Sequence, residues 1–446
     1  MKKRYYIANI ADYVGQEVTI QGWLYNIRTS GKLMFPQLRD GTGFIQAVVS
    51  QKEVSEAVWE DFKKLTQESS VIVTGTVSKH PKKDEFELQV KELKIVQIAE
   101  PFPITPKDHG IEFLMDHRHL WVRSPKQVAI IKIREEVIKA CRDYMYDNSF
   151  VLFDSPIFTP NAAEGTTTLF STDYFDLGKV YLAQTGQLYA EAGAMAFGKV
   201  YDFGPTFRAE KSKTRRHLNE FWMIEPEMAY YDIFDDMDLI EDFIEYIVVR
   251  VLKNRSKELA VLERDISKLV AIKKPFPRIT YDEAVKIINE KNVPLIRKKE
   301  DGTEEHILPF PWGEDFGAQH EEAVVGDGDK PVMVYNWPSE AKAFYMKRDP
   351  ENPKIVRGVD VLAPEGYGEI VGGSEREDNL GLLTERIKEH NLPIDAFQWY
   401  LDLRRFGSVP HSGFGMGIER VVSWLCKLDH LREAIPFPRM MYRNRP

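Results

Sequence analysis

Between residues 204 and 230 the sequence GPTFRAEKSKTRRHLNEFWMIEPEMAY sets Arg208 and Glu210 ahead of a basic stretch, Arg215, Arg216 and His217, and then brings in the aromatic Phe221. A planar guanidinium pairs bidentately with phosphate oxygens, and an aromatic ring offers a stacking surface for a base. A second segment, Gly368-Glu369 and then Gly372-Gly373-Ser374-Glu375-Arg376, puts an acid and an arginine beside paired glycines, a combination suited to a metal ion together with a substrate. In the third, HSGFGMGIERVVSWL, Gly413, Gly415 and Gly417 precede a helix that carries Glu419 and Arg420. These residue types suit attack of a carboxylate on the α-phosphate of ATP. The carboxylate is already ionised at pH 7, so no general base is required. The protein has to hold two anions together and neutralise charge developing on phosphorus. Taken singly, each segment also has a plainer reading: a solvated basic hairpin, a salt-bridged turn, or glycines in a tight strand-to-helix turn.

The chain has 446 residues, enough for two or three domains to position such groups. In VTIQGWLYN, Val18, Ile20 and Leu24 share one strand face and Thr19, Gln21, Trp23 and Tyr25 the other. Leu33-Met34-Phe35, the turn Asp40-Gly41-Thr42-Gly43 and the apolar run 44–49 make a hairpin signature. A helix-like piece over 54–66 follows, then VIVTGTV and EFELQV. Five short strands with one helix fit a Greek-key barrel of the oligonucleotide-binding (OB) type over residues 1–100. The Pro-rich PFPITPKDHG opens a linker, 101–123. Ser124-Pro125 reads as a helix N-cap with proline at the first helical position. Residues 124–446 read as an α+β domain with a mainly antiparallel sheet flanked by helices. Met237, Ile240, Ile244, Ile247 and Val251 mark one long amphipathic helix in it.

Composition is that of an ordinary globular protein. Cys141 and Cys426 are the only cysteines and lie far apart, which excludes a disulfide framework and offers no zinc-site spacing. There is no apolar signal segment, and no run approaches the roughly 20 residues of a membrane helix. A reducing cytoplasm is the expected location. The net charge of −9 weighs against broad polyanion binding, but residues 1–100 hold 14 Lys+Arg against 13 Asp+Glu. A local RNA surface there remains open.

Together and in this order, the segments resemble the three signature motifs of the class II aminoacyl-tRNA synthetases. Residues 151–157, with Pro156, resemble motif 1, which builds the dimer interface in that family; 207–221 resemble motif 2 and 413–420 motif 3. EGTTTLF, TGQLYAEA, GEIVGGSER, WYLDLRRFGSVPHSGFGMGIER and IPFPR extend the likeness over nearly the whole chain, within the aspartate/asparagine/lysine subgroup.

The resemblance implies ATP as a substrate, Mg²⁺, a tRNA partner and a homodimer. Arg208 would bind the α-phosphate and the carboxylate, Glu210 the adenine amino group, and Phe221 the ring. Arg216 or His217 would reach the β- and γ-phosphates, and Arg420 would close the opposite side. Asp360 and Glu369 match the magnesium carboxylates, although the interval between them is longer than in aspartate relatives. Glu164 and Gln187, with Thr185 beside them, would hold the substrate ammonium, and Arg376 its side-chain oxygen. Aspartate enzymes carry a lysine where this chain has Ala190, and Glu225 would face the side-chain end. A carboxylate accepts a hydrogen bond from a carboxamide NH₂ but repels a second carboxylate, so the implied amino acid is L-asparagine and the implied partner its tRNA. In the barrel, Phe35 would stack on the central anticodon base, with Gln46 bonding to it and Arg28 beside it. Three other readings stay open. One is an aspartyl enzyme without discrimination, which Ala190 and Glu225 oppose. Another is an asparagine-synthetase-like paralogue, a type that lacks the barrel. The last is a non-catalytic RNA-binding protein, against which Arg208, Glu369 and Arg420 stand.

Overall fold

Alternating apolar residues build the first part of the chain into a barrel. In the computed structural model, which describes residues 4–161, 169–212, 214–299 and 302–446, the chain divides into two compact units, Met1–Ile111 and Glu112–Pro446. In the first unit β1 (Glu17–Ser30), β2 (Leu33–Arg39), β3 (Phe44–Ser50), β4 (Ser70–Lys79) and β5 (Phe86–Gln97) close in the order β1-β2-β3-β5-β4. β1 is long enough to pair with β4 through its first half and with β2 through its second, with a bulge between Leu24 and Asn26. Val18, Ile20, Leu24, Ala47, Val73 and Leu88 fill the interior. Helix α1 (Glu56–Lys64), capped by Ser55 accepting from Val58 N–H, adds Trp59 and Phe62 to it. The Asp40 turn is set by its own side chain, whose Oδ1 accepts from the N–H groups of Thr42 (2.8 Å) and Gly43 (3.1 Å). Gly75 sits at a register shift where a Cβ would lie 2.3 Å from the Gln89 carbonyl oxygen, so only glycine fits.

In the second unit, eight strands among the described residues form one sheet. From one edge to the other they are Arg278–Thr280, Val332–Pro338, Ile355–Ala363, Gly368–Glu375, His411–Gly417, Glu220–Ala229, Lys199–Phe207 and Val151–Leu152. Only the outermost pair at each edge is parallel. The helix Pro125–Asp147, capped by Ser124, and the helix Ile233–Asn254, opened by an Asp232–Asp235 capping box, pack on this sheet. Ile133, Val137, Ile240, Ile244, Val371 and Phe414 share that core. The stretch expected to be a plain linker is partly helical, over Ile111–Asp116 and Arg118–Trp121. Arg118 is fully buried because its guanidinium donates to the Ile435 and Pro436 carbonyls and to Gln127. Both cysteines are buried and free. No helix of the described residues is long and apolar enough to cross a membrane.

Candidate active site

The strand Glu220–Ala229 sorts its side chains by alternation. Ile224 and Met228 enter the core under the helices, while Phe221, Met223 and Glu225 line the open side. The neighbouring strand His411–Gly417 forms the floor. A Cβ on Gly413 would come within 2.3 Å of the Pro226 carbonyl oxygen, and one on Gly415 within 2.5 Å of the Met223 side chain. Larger residues would therefore push the strands apart or fill the site. The strand Lys199–Phe207 stops one residue short of Arg208. Arg208 lies just beyond it, its N–H donating to the Asn219 carbonyl at 3.0 Å.

Two cavities lie over this floor. The first is lined by Arg208, Glu210, Arg216, His217, Phe221, Glu369 and Arg420, so motif residues separated by two hundred positions in the sequence share one wall. The Arg208 guanidinium stands 5.6 Å from the centre of the Phe221 ring. Arg420 Nη1 donates to the Glu369 carbonyl (2.6 Å) and its carboxylate (3.3 Å). Burial pushes the Glu369 carboxyl up, but Arg420, Lys342 and Arg208 outweigh it and hold the group below its ordinary range. Arg216 pairs with Glu321 at 2.8 Å, and His217 lies 3.4 Å from Glu210. Burial lowers the His217 pKa.

The second cavity, of about 490 Å³, lies in the size range of small-molecule sites. Thr185, Gln187, Glu225, Asp360, Glu369 and Arg376 all line it. Glu164 falls outside the described residues. Glu225 is buried, accepts from Gly186 N–H at 2.8 Å and from the Thr185 hydroxyl, and is pushed up to about 7 by burial and by Asp202. Thr185 Oγ1 also accepts from Gln187 N–H, at 3.0 Å, at the start of the helix Gln187–Phe197. Arg376 pairs with Glu227 and donates to the Ser374 hydroxyl at 2.6 Å. Asp360 and Glu369 converge over Gly372, where a Cβ would lie 3.7 Å from one carboxylate and 3.2 Å from the other. Burial pushes Asp360 up to about 7 against the pull of Lys342. Among the described residues there is no cluster of three or more metal-ligating side chains. The two cavities meet at Arg208, Met223, Glu369 and Gly415, which line both.

Residues 110–441 match the family described as tRNA synthetases class II (D, K and N), and residues 18–96 match the OB-fold nucleic acid binding domain. The chain is 55% identical over 441 residues to an asparagine–tRNA ligase of Sorangium cellulosum, covering 98% of both chains. It is 56% identical to one from Chloroflexus aurantiacus, over 99% of this chain and 98% of that one. The chain belongs to the asparagine–tRNA ligases of class II. The crystal structure of asparaginyl-tRNA synthetase from Pyrococcus horikoshii, complexed with asparaginyl-adenylate, superposes with a TM-score of 0.93 at 43% identity over the full length of both chains.

Several groups at this ligase's site carry no signal in sequence. Glu321 pairs at 2.8 Å with Arg216, which lines the first cavity. Asp315 lines the second cavity. Trp312 does not line it. Its indole donates to Asp282 at 2.7 Å and it stays half exposed. Glu191 follows Gln187 by one helical turn and accepts from its Nε2 at 3.1 Å. Although burial pushes it up, Arg404 and His411 hold the Glu191 carboxyl well below its ordinary range, and Tyr400 adds a hydrogen bond at 2.8 Å. Such a partner set is assembled from three elements, the helices Gln187–Phe197 and Gln398–Arg405 and the strand His411–Gly417, and no local spacing signals it.

On the barrel of the ligase, Gln37 pairs with Gln46 and Arg28 with Phe35 in the strand register. Arg28 Nη2 donates to Gln46 Oε1 at 3.1 Å, and Gln46 Nε2 donates to Glu87 at 2.7 Å. Phe35 and Gln46 are half-buried and Arg28 is exposed, so the three stand on one accessible face.

Proposed function

We propose that the enzyme condenses L-asparagine with ATP to asparaginyl-adenylate and pyrophosphate, and then transfers asparagine to the 3′ end of its tRNA. The observation that carries this is the junction of the two cavities at Arg208, which puts one guanidinium between a nucleotide slot and an amino-acid slot. In this reading Arg208 holds the α-phosphate and the attacking carboxylate, Phe221 and Glu210 hold adenine, and Arg216, His217 and Arg420 hold the outer phosphates. The tethering of Gln187 Nε2 to Glu191 leaves the Gln187 amide oxygen to accept from the substrate ammonium. Glu225 and Arg376 take the two ends of the carboxamide. The donor set over Gly372 suits Mg²⁺, which would be held by Asp360 and Glu369 with the nucleotide's own phosphates. When bound, that ion neutralises phosphate charge. The barrel, over residues 1–100, reads the anticodon through Phe35, Gln46 and Arg28. The apolar side chains of Val151, Leu152, Ile157 and Phe158, exposed around Pro156, support a homodimer through that edge. The deciding experiment is ATP–pyrophosphate exchange with asparagine and with aspartate, followed by tRNA charging. Exchange with aspartate alone would overturn the specificity, and exchange with neither would favour an RNA-binding role.

Specificity is expected to depend on pH. Glu225 titrates near 7 in the folded enzyme, so it is mostly protonated at pH 6 and an anion above pH 8. Only the anion repels a second carboxylate. The ratio of kcat/KM for asparagine over aspartate should therefore climb severalfold from pH 6 to 8.5 and then level off, while Glu225→Gln should give a flat ratio. A flat ratio in the unaltered enzyme would remove Glu225 as the discriminator.

For the barrel, a stacked base is worth about 1–3 kcal/mol. Phe35→Ala should lower kcat/KM for tRNA roughly tenfold or more while pyrophosphate exchange is unchanged. Equal losses in both assays would assign Phe35 to folding.

A further inference from the structure

Lys342 lines the second cavity, yet neither nucleotide nor asparagine recognition uses it. It lies on the turn after the strand Val332–Pro338, and Arg386 pins that turn by donating to the carbonyls of Ser339 (2.9 Å), Lys342 (3.3 Å) and Ala343 (3.4 Å). The Lys342 ammonium is 2.6 Å from Asp360 Oδ2 and 3.8 Å from Asp315 Oδ1, and it stands 3.8 Å from the centre of the Trp337 ring. Its side chain is 13% exposed. A fixed, largely desolvated cation therefore already occupies one oxygen of the carboxylate pair that converges over Gly372.

We infer that Lys342 is a resident counter-cation that competes with a divalent metal ion for Asp360, so that the carboxylate pair takes the metal firmly only when nucleotide phosphates arrive with it. The inference rests on the reading of Asp360 and Glu369 as the metal carboxylates. Its physics is simple repulsion: an ammonium and a divalent ion sharing one carboxylate stand a few ångströms apart in a poorly solvated cavity, where like charges oppose each other strongly. Phosphate oxygens restore the balance by adding negative charge and ligands together. Lys342 thereby couples metal occupancy to nucleotide occupancy and disfavours a metal-only state.

The test is Mn²⁺ binding to the full-length protein, followed by electron paramagnetic resonance with and without a non-hydrolysable ATP analogue. Lys342→Met keeps the apolar stem over Trp337 and removes the charge. It should bind Mn²⁺ without nucleotide at least tenfold more tightly than the unaltered protein, and Lys342→Arg should stay as weak as the unaltered protein. Equal or weaker Mn²⁺ binding by a folded Lys342→Met would overturn the inference; if that variant does not fold, Lys342→Gln is held to the same comparison. Asp360→Asn and Glu369→Gln test the underlying reading separately, because both should weaken Mn²⁺ in the nucleotide complex. If neither does, the metal assignment fails whatever Lys342 does.

Discussion

Arg208→Ala is expected to lower ATP–pyrophosphate exchange by at least about 10³-fold while the fold stays intact. The size follows from where the guanidinium sits. A single positioned donor to a developing charge is worth about 10² to 10³ in rate, and an arginine placed on a transferring phosphoryl group about 10³ to 10⁵. Arg208 lies at the junction of both cavities, so in the proposed reaction one side chain would both hold the two anions together and offset charge on phosphorus. The stability cost should be small. Its ring contact with Phe221 belongs to a class worth about 0.5–1 kcal/mol at partly exposed sites, and the buried acids Glu225 and Glu369 that it influences each have further partners among the described residues. Arg208→Lys keeps the charge without the planar fork and should recover only part of the rate. Near-normal exchange by the alanine variant, with an unchanged unfolding temperature, would show that residues 207–221 do not form the phosphate clamp.

Arg376→Met should fail in the opposite manner, losing stability as well as asparagine activation. Arg376 is buried with Glu227 and near Asp236, all three almost without exposure. Burial pushes Glu227 up to about 8 in spite of Arg376, and Asp236, whose carboxylate oxygens have no hydrogen-bond partner among the described residues, is raised well above its ordinary range by burial. One guanidinium thus compensates a cluster with more acid than it can neutralise. Removing one partner of a buried ion pair costs about 3–5 kcal/mol. With Arg376 gone, the folded state holds protons that the unfolded chain releases above pH 4–5, so its stability falls as pH rises. The unaltered enzyme keeps the Glu227 proton to about pH 8 and the variant keeps it higher still, so the deficit in unfolding temperature should hold steady near pH 6–7 and widen from about pH 8 upward. A double variant, Arg376→Met with Glu227→Gln, should regain part of the stability and none of the asparagine activation. If the double variant stays as unstable as the single one, the cluster is not what Arg376 supports. If the single variant still activates asparagine normally, Arg376 does not hold the substrate's side chain.

The legible and illegible parts of this protein differ by the range of the interactions involved. Alternation in 18–25 and the Asp40 turn were enough to expect the barrel, because strand faces and turns are set by neighbours within a few residues. The same holds for the Ser124 cap and the core stripe of the helix Ile233–Asn254. Short-range reasoning does less well where a buried group changes the local preference. Beyond the Pro-rich residues 101–110, Arg118 is anchored by two backbone carbonyls more than three hundred residues away, which its neighbours in sequence do not foretell. Motif residues such as Arg208, Phe221 and Arg420 stand out because their types suit phosphate and their spacings resemble a known family. Glu321 and Lys342 have no such signature, since a lone Glu or Lys in sequence is indistinguishable from a solvated one, and Glu191, although it lies within TGQLYAEA, shows its partners only in the fold.

By itself, the sequence determined which side chains were available, the periodicity that folds them into strands and helices, and the family resemblance that proposes a chemistry. Only the tertiary structure decided that residues as far apart in sequence as Arg208 and Arg420 share cavities meeting at Arg208, that Glu225 is buried deeply enough to titrate near neutrality, and that a lysine already neutralises part of the acidic pair. Burial and the field of distant charges come from packing, so the ionisation state of a site is a property of the folded chain and not of its local sequence.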